Sequence, residues 1–327
     1  MTRPAGGTAY DGRRILVTGA GGYIAGVLIK ALLARGSHVI RLSRRELPPQ
    51  AGVVDVMGDP RLPATWTDPL LDADIVFHLA AETSTYAAAA NPLASLEATV
   101  VSTLALIEGY RHAGRMPAVV MASTALVLGL TQNLPASDAT PPQPVTVYDM
   151  HKLMAEMHLA QAARDGFVRA CSLRLANVYG PSPQAHGAAD RGILNRMVRK
   201  ALAGEAVTIY GDGALLRDYV YVDDVAAAFL AAGAAIETCT GRSFLVASGE
   251  SVTIGRAFTL VAERVTVLTG REVTVRHVDW PAGMAAIEYR NFVGDSRGLA
   301  DAAGWQPRIA LQDGIDRTIA ALLEEAS

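Results

Sequence analysis

The stretch Ile15-Leu-Val-Thr-Gly-Ala-Gly-Gly-Tyr-Ile-Ala-Gly26 decides the fold of this chain of 327 residues. Its apolar beginning is typical of a buried strand, and residues 27–35 continue it with the apolar spacing of a helix. A strand, a glycine-rich turn and a helix form the context in which such glycines bind a dinucleotide. Gly19 permits the tight turn, Gly22 lets a pyrophosphate approach the backbone, and the helix start offers free N–H groups. The alternative is a plain turn that binds no ligand.

The end of the second predicted strand indicates which dinucleotide is preferred. In NAD sites of this type, an acidic residue near this position accepts hydrogen bonds from the adenosine ribose. Here the strand ends at Ser43, followed by Arg44 and Arg45. Arginine binds phosphate through charge-assisted, bidentate hydrogen bonds, so this pattern suits a 2′-phosphate. We therefore expect NADP(H) to be preferred, while NAD(H) stays possible if the arginines are surface charges and Glu46 binds the ribose.

Strands alternate with helices over the first 175 residues. The predicted strands are 14–18, 38–43, 52–56, 74–79, 118–123 and 168–175, and the predicted helices are 23–35, 91–113 and 147–165. This alternation predicts an α/β fold with a doubly wound parallel sheet of the Rossmann type. We expect an NAD(P)-binding domain from residues 1–176 with about 218–247, and a smaller C-terminal α/β lobe from about 177–217 and 248–327. The first ten residues are expected to form a loose tail.

Composition narrows the class of protein. The net charge of −3 gives no reason to expect nucleic acid or an anionic membrane as a partner. The two cysteines, Cys171 and Cys239, lack metal-site spacing and suit a reducing cytoplasm. The seven histidines contain no His-x-x-x-His pair, so we expect no metal site. The sequence contains no uncharged run of eighteen apolar residues, so we expect no transmembrane helix.

Tyr148 and Lys152 are the candidate catalytic pair. Four residues apart on a predicted helix, they lie on the same face, one turn from each other. A phenol has a pKa of about 10, and a nearby ammonium favours the phenolate. Tyr-x-x-x-Lys is therefore an acid/base device, although the same spacing also arises when a solvated lysine stands beside a half-buried tyrosine.

Further motifs along the whole chain resemble those of the extended short-chain dehydrogenases/reductases, which include nucleotide-sugar epimerases, dehydratases and reductases. These motifs are Gly58-Asp59, His78-Leu-Ala-Ala81, Ala122-Ser-Thr124, Leu173-Arg-Leu-Ala-Asn-Val-Tyr-Gly-Pro181, Ile209-Tyr-Gly-Asp-Gly213, Arg217-Asp-Tyr-Val-Tyr-Val-Asp-Asp224 and Gly304-Trp-x-Pro307. Shorter motifs are similar to NDP-4-keto-6-deoxyhexose 4-ketoreductases of antibiotic deoxysugar pathways. They include Asp190-Arg-Gly192, Glu288-Tyr-Arg-Asn-Phe292 and residues 313–322.

The resemblance implies roles for individual residues. Thr124 would complete the catalytic group with Tyr148 and Lys152 and hydrogen-bond the substrate oxygen. The cofactor would be bound by Gly19, Gly22, Tyr23, Ile24, Ser43, Arg44, Asp59, Leu79, Ala80, Ala81, Tyr148 and Lys152. The diphosphate of a sugar nucleotide would be held by Asn177, Arg217 and Arg290, unless Arg217 instead forms a salt bridge to Asp218 or Asp224.

The function implied by the resemblance is that of an NADPH-dependent 4-ketoreductase. Its substrate would be a nucleotide-linked, dTDP-type 4-keto-6-deoxy sugar, and Tyr148 would donate the proton as hydride reaches C4. The alternative is an NAD-dependent nucleotide-sugar 4-epimerase, against which Ser43 and Arg44 argue. A relative that only binds dinucleotide would tend to lose Tyr148 or Lys152, and both are present.

The resemblance also implies a homodimer. Members of the group commonly pair through the helices predicted here at 91–113 and 147–165. Leu153, Met157 and Leu159 extend beyond a single helix face, which is compatible with a four-helix seam. Leu128, where many relatives have tyrosine, is expected near the substrate entrance.

Overall fold

A computed structural model describes residues 9–181 and 192–325. Its strands are β1 (Arg14–Thr18), β2 (His38–Ser43), β3 (Val53–Met57), β4 (Ile75–His78), β5 (Ala118–Thr124), β6 (Arg169–Leu175), β7 (Asn177–Tyr179), β8 (Val207–Tyr210), β9 (Leu216–Arg217), β10 (Tyr219–Tyr221), β11 (Ser243–Val246), β12 (Val252–Thr253) and β13 (Val275–Val278). Its helices are α1 (Tyr23–Leu33), α2 (Thr85–Ala90), α3 (Pro92–Leu96), α4 (Ser102–Ala113), α5 (Val147–Arg164), α6 (Ile193–Leu202), α7 (Val222–Ala234), α8 (Ile236–Cys239), α9 (Ile254–Thr269), α10 (Arg297–Ala303) and α11 (Leu311–Glu325).

Seven parallel strands form the central sheet in the order β11-β6-β5-β4-β1-β2-β3. Its strands are largely buried on both faces, and their near-continuous apolar runs are typical of a parallel sheet covered by helices. Alternate residues of β1 enter opposite cores, with Ile15 packed on the α1 and α7 side and Leu16 on the α4 and α5 side. The predicted Rossmann-type fold is confirmed. Strand order reverses between β1 and β4, so a crevice opens at the carboxyl ends of these strands.

A second core belongs to the smaller lobe. It is formed mainly by α6, α9 and α11, and it includes Leu194, Phe258 and Ile315. Short two-stranded sheets, β13 with β8 and β10 with β7, accompany these helices. The lobe therefore has an apolar interior of its own.

Two expectations about the chain's boundaries differ from the structure. Helix α10 lies in the range expected for the lobe, yet Leu299 and Trp305 are buried in the core of the sheet. Tyr10 falls in the expected tail, but its ring packs near Phe77 and its hydroxyl donates a hydrogen bond to the carbonyl of Leu230. Apolar contacts between residues distant in sequence decide both cases. Residues 1–8 of that tail lie outside the described residues.

The predicted helix at 91–113 is present over Pro92–Ala113 but is less regular than expected. Asn91 ends α2 and caps α3, and a π-helical turn at Glu97–Val101 joins α3 to α4. The span Pro92–Ala113 has the length and composition of a membrane-crossing helix, but half of its most apolar stretch is buried inside the protein. Leu106 and Tyr110 are fully buried against the sheet, so this is a core helix.

A buried carboxylate fastens α5 to the sheet. Glu156, 3% exposed, forms an ion pair with Arg174 of β6, with a shortest distance of 2.7 Å. It also accepts hydrogen bonds from the hydroxyls of Ser123 on β5 and Ser243 on β11. Because a buried charge is costly unless it is paired and hydrogen-bonded, this network specifies how α5 lies on the sheet.

Removing the cation alone is expected to destabilise the fold strongly. We predict that Arg174→Met lowers the free energy of unfolding by about 3–5 kcal/mol, because Glu156 is left buried without its counter-charge. The double variant Glu156→Leu/Arg174→Met should recover much of that loss. Urea unfolding followed by circular dichroism measures both, and a loss below about 1 kcal/mol for Arg174→Met would contradict the prediction.

Candidate active site

A deep cleft lies between the sheet and the smaller lobe, at the carboxyl ends of β1, β4 and β5. Its volume is 1230 Å³, and residues of both parts line it. Sites for one small molecule usually occupy about 300–1,000 Å³, so this cleft has room for two ligands side by side.

The glycine turn forms one wall of the cleft. Gly19 has φ +65°, and a Cβ added to it would lie 2.8 Å from the backbone nitrogen of Ala80. The N–H of Gly22 donates to the Gly19 carbonyl at 2.8 Å, and Gly22 then caps α1. Since glycine has no side chain to occupy the first N–H groups of the helix, these groups are left for an anion. A dinucleotide pyrophosphate fits this turn.

The other residues predicted around the turn also line the cleft. Ile24, Leu79 and the small residues Ala80 and Ala81 border it directly. The phenol of Tyr23 is directed into the smaller lobe, where its hydroxyl donates to the Gly180 carbonyl at 2.7 Å. That hydroxyl therefore joins the two parts of the molecule.

Basic residues surround the far end of this wall. Arg44 is exposed at the cleft, and the Ser43 hydroxyl accepts from the N–H of Arg45 at 3.2 Å. The Asp59 carboxylate is bound by Arg61 at a shortest distance of 2.6 Å, which lowers the pKa of Asp59. Arg61 was not among the predicted site residues, although its position two residues after Asp59 was the available signal. Its guanidinium adds a cation at the cleft wall.

The candidate catalytic residues meet at the base of the cleft. Lys152, only 4% exposed, donates from Nζ to the Ala122 carbonyl at 2.9 Å. The same nitrogen lies 6.0 Å from the centre of the Tyr148 ring. Thr124 ends β5 at the same cleft, and its hydroxyl accepts from the N–H of Leu126 at 3.2 Å. The structure thus brings the predicted pair and Thr124 to one site.

The start of α5 places Tyr148 in this site. Thr146 accepts from the N–H of Asp149 at 3.2 Å, and the Asp149 carboxylate accepts from the N–H of Thr146 at 3.1 Å. This reciprocal capping box fixes the first turn of the helix. Tyr148 follows the cap by two residues and so has a defined direction.

Burial changes the pKa of Lys152. Desolvation lowers the pKa of Lys152 to about 8, while the charges of Glu156 and Glu82 oppose that change. An ammonium at this position favours the phenolate of a neighbouring tyrosine. The arrangement can therefore move a proton to or from an oxygen held near Thr124 and Tyr148.

Two arginines occupy the opposite side of the cleft. Arg217 donates to the carbonyls of Leu216 at 3.0 Å and Glu288 at 2.7 Å, and also to that of Arg290. Arg290 donates to the side-chain oxygen of Asn177 at 3.2 Å. Burial and the charge of Arg217 lower the pKa of Arg290 to about 10. Two adjacent guanidiniums and an amide form a site of the kind that binds phosphate groups.

The alternative salt bridges of Arg217 are absent from the described residues. The carboxylate of Asp218 accepts backbone N–H groups of Ser248 and Gly249, and that of Asp224 accepts those of Arg308 and Ile309. Both acids stabilise loops, so the guanidinium of Arg217 stays beside the cleft.

Aromatic rings at the outer end of the cleft were not predicted. The ring centre of Trp280 is 5.5 Å from that of Tyr210 and 4.8 Å from that of Tyr289. Tyr210 lies far from Trp280 and Tyr289 in the sequence, and no local pattern links it to them. Leu128 does not reach the substrate entrance as expected, because it is fully buried in a small apolar cluster with Val127 and Phe292.

Comparison with known proteins agrees with this geometry. A family model described as the NAD dependent epimerase/dehydratase family matches residues 15–247. The chain belongs to this family. A UDP-glucose 4-epimerase of Mycolicibacterium smegmatis is 30% identical over 318 residues, covering 94% of this chain and 97% of the relative.

Solved structures of the family have the same fold. The UDP-glucose 4-epimerase of Thermotoga maritima, solved with UDP-glucose, superposes with a TM-score of 0.84 at 26% identity, covering 96% of this chain and all of that one. The UDP-glucose 4-epimerase of Thermus thermophilus, solved with NAD, gives 0.79 at 29% identity, with coverages of 94% and 98%. Family membership confirms the predicted extended short-chain dehydrogenase/reductase and its NAD(P)-dependent chemistry. These three relatives are epimerases, so they favour the alternative over the predicted ketoreductase.

Proposed function

We propose that this protein acts on C4 of a nucleotide-linked hexose, with Tyr148 exchanging the proton of the C4 oxygen. The observation that carries the proposal is the meeting of Tyr148, Lys152 and Thr124 at the base of one cleft. The glycine turn and Ala80 border the same space on one side, and the pair Arg217 and Arg290 borders it on the other. A dinucleotide and a nucleotide diphosphate sugar suit these two sides.

The chain's own residues account for the acid/base part of the reaction. A bound nicotinamide dinucleotide would supply the hydride acceptor and donor. Tyr148 as phenolate takes the proton from the C4 hydroxyl while hydride leaves C4, and Lys152 stabilises the phenolate. Thr124 donates a hydrogen bond to the same oxygen. On return of hydride to the C4 ketone, Tyr148 gives the proton back, so atoms and charges balance.

The 4-epimerase is the activity that we favour. Relatives that align with almost the entire chain are named UDP-glucose 4-epimerases, and one was solved with UDP-glucose. In an epimerase, the hydride returns to the opposite face of the ketone, so the same catalytic group serves both half-reactions.

A second candidate, the NADPH-dependent 4-ketoreductase, is favoured by one specific observation. The end of β2 carries Ser43, and the exposed Arg44 and Arg45 line the cleft beside it. This arrangement suits the 2′-phosphate of NADP(H) better than a ribose hydroxyl. A reductase that exchanges its cofactor in every cycle would use such a preference.

A direct assay separates the two candidates. We expect purified protein with NAD to convert UDP-glucose to its C4 epimer without net cofactor consumption, measured by chromatography of the sugar nucleotides. Tyr148→Phe should lower turnover about 100-fold or more while cofactor binding persists, because the proton exchange is lost. Consumption of NADPH with a dTDP-4-keto-6-deoxyhexose, without epimerisation, would instead select the ketoreductase. Turnover in Tyr148→Phe close to that of the wild type would refute the catalytic assignment.

Cofactor preference is expected to depend on Arg44. Arg44→Asp should weaken NADPH binding about tenfold or more and leave NADH binding nearly unchanged, since a hydrogen bond between charged groups contributes about 1.5–3 kcal/mol. Quenching of intrinsic fluorescence gives both dissociation constants. Arg276→Asp, an exposed arginine on β13, is the matched control. Equal weakening of the two cofactors would contradict a 2′-phosphate site.

A homodimer, together with a cytoplasmic location, is part of the proposal. Met150, Met154 and Met157 on α5 are 45%, 39% and 62% exposed, and Leu93 on α3 is 64% exposed. Leu159, expected at the seam, is buried in the sheet core and takes no part. An apolar strip of this kind on two adjacent helices is typical of an interface.

The strip is expected to hold the dimer together. Met154→Glu/Met157→Glu should shift the molar mass in light scattering from that of a dimer to that of a monomer, since charges would be buried in the seam. Val267→Glu, on a residue of α9 that is 67% exposed, should leave the dimer intact. A monomeric wild type would disprove the interface.

A further inference from the structure

His78 is a buried histidine that stands directly before the cleft-lining residues 79–81. It ends β4 and is only 2% exposed. Its ring is hydrogen-bonded on both sides, with Nδ1 at 2.9 Å from the hydroxyl of Thr18 and Nε2 at 3.2 Å from that of Thr103. Thr18 ends β1, and Thr103 belongs to the first turn of α4. A buried imidazole therefore links two strands of the sheet to a helix that packs on it.

The hydroxyl of Thr18 holds the start of the loop that follows β4. Thr18 and His78 are the last residues paired between β1 and β4. Beyond them the two chains separate, β1 into the glycine turn at Gly19 and β4 into its loop. The N–H of Ala80 donates to the Thr18 hydroxyl at 3.2 Å, and a Cβ on Gly19 would lie 2.8 Å from the same nitrogen. A side chain thus replaces the backbone pairing at the place where the pyrophosphate is expected.

On the helix side, the hydroxyl of Thr103 has a definite direction. It donates to the carbonyl of Thr99, one turn earlier, at 2.8 Å. A carbonyl can only accept and a hydroxyl has one proton, so the oxygen of Thr103 is left to accept from His78. Thr99 lies in the π-helical turn Glu97–Val101, and its own hydroxyl accepts from the N–H of Glu82 at 3.1 Å. The loop after β4 is therefore tied to this turn as well.

These bonds determine which ring nitrogen carries the proton. The ring is neutral, since burial and the charge of Lys152 lower the pKa of His78 to about 3. A neutral imidazole has one donor and one acceptor, and because Thr103 accepts, Nε2 is the donor. Nδ1 then accepts the proton of Thr18, whose oxygen accepts from Ala80. In the opposite tautomer, the oxygen of Thr18 would receive two N–H groups and its proton would lose the ring nitrogen.

We propose that His78, as the Nε2–H tautomer, is a positioning residue that fixes the cofactor wall formed by Gly19 and Ala80. The imidazole takes the proton of Thr18 and so turns the lone pairs of that oxygen toward the N–H of Ala80. It does so from a fixed place, because Thr103 holds its other nitrogen. The inference rests on the cofactor side of the proposed function. His78 acts on the cofactor only through Thr18, since both ring nitrogens are hydrogen-bonded in the interior.

Two substitutions separate the two ends of this chain of hydrogen bonds. Asparagine can place its amide oxygen where Nδ1 stands, so His78→Asn keeps an acceptor for the proton of Thr18 and loses the bond to Thr103. Glutamine is longer and can place its amide nitrogen where Nε2 stands, so His78→Gln keeps a donor for Thr103 and loses the acceptor for Thr18. Each variant leaves one buried hydroxyl without its ring partner, so we expect a similar loss of stability from both.

Cofactor binding is expected to follow the end of the chain at Thr18. By calorimetry, His78→Gln should bind NADH and NADPH about tenfold more weakly than the wild type, whereas His78→Asn should stay within about twofold of it. Urea unfolding of the same proteins shows whether their stabilities fall equally. A purely structural role would weaken binding in both variants in proportion to the lost stability. That result, or wild-type binding in His78→Gln, would overturn the proposal.

The tautomer is measured on the protein without cofactor or substrate. Nitrogen NMR of protein labelled in its histidines distinguishes protonated from unprotonated ring nitrogens, and the signals of His78 are those missing from His78→Asn. We expect Nε2 to be protonated and Nδ1 to be unprotonated. A ring protonated at Nδ1 would refute the proposal. The expected tautomer and the selective loss of cofactor binding, without C4 activity, would refute the proposed function and keep this inference. Activity at C4 with unchanged cofactor binding in His78→Gln would do the reverse.

Discussion

The buried carboxylate of Glu156 is the contact on which the geometry of the site depends. It accepts hydrogen bonds from three adjacent strands, through Ser123, Arg174 and Ser243. Lys152 stands one helical turn before it on α5, so the same bonds fix the amine over the end of β5. That strand supplies both the carbonyl that binds Lys152 and the hydroxyl of Thr124. The hydrogen bonds and ion pair of Glu156 thus align Tyr148 and Lys152 on α5 with the hydroxyl of Thr124 on β5.

Positively charged side chains lie at two separate places in the cleft. Arg44 and Arg61 lie at one end, and Arg217 with Arg290 at the other, and Lys152 lines the same cleft. Both proposed ligands carry phosphates, and cations at two separate places can hold two such groups apart.

The two candidate activities use one catalytic group and differ in what happens to the cofactor. An epimerase returns the hydride to its own substrate, so it gains nothing from exchanging the dinucleotide. A reductase consumes the hydride and must exchange its cofactor in each cycle, for which recognition of NADPH is an advantage. Fold and family are shared by both, and only the residues at the end of β2 and the sugar-binding walls can distinguish them.

The sequence alone determined the order of strands and helices, the glycine turn and the spacing of Tyr148 and Lys152. These features depend on residues close together in the chain, where periodicity and backbone preference act directly. Only the tertiary structure decided that the phenol of Tyr23 binds Gly180, 157 residues away, and that the amine of Lys152 binds the carbonyl of Ala122. It also brought Trp280 beside Tyr210, which no local pattern indicated. The physical reason is that such partners are chosen by packing of the folded chain, where burial sets the cost of every unpaired charge.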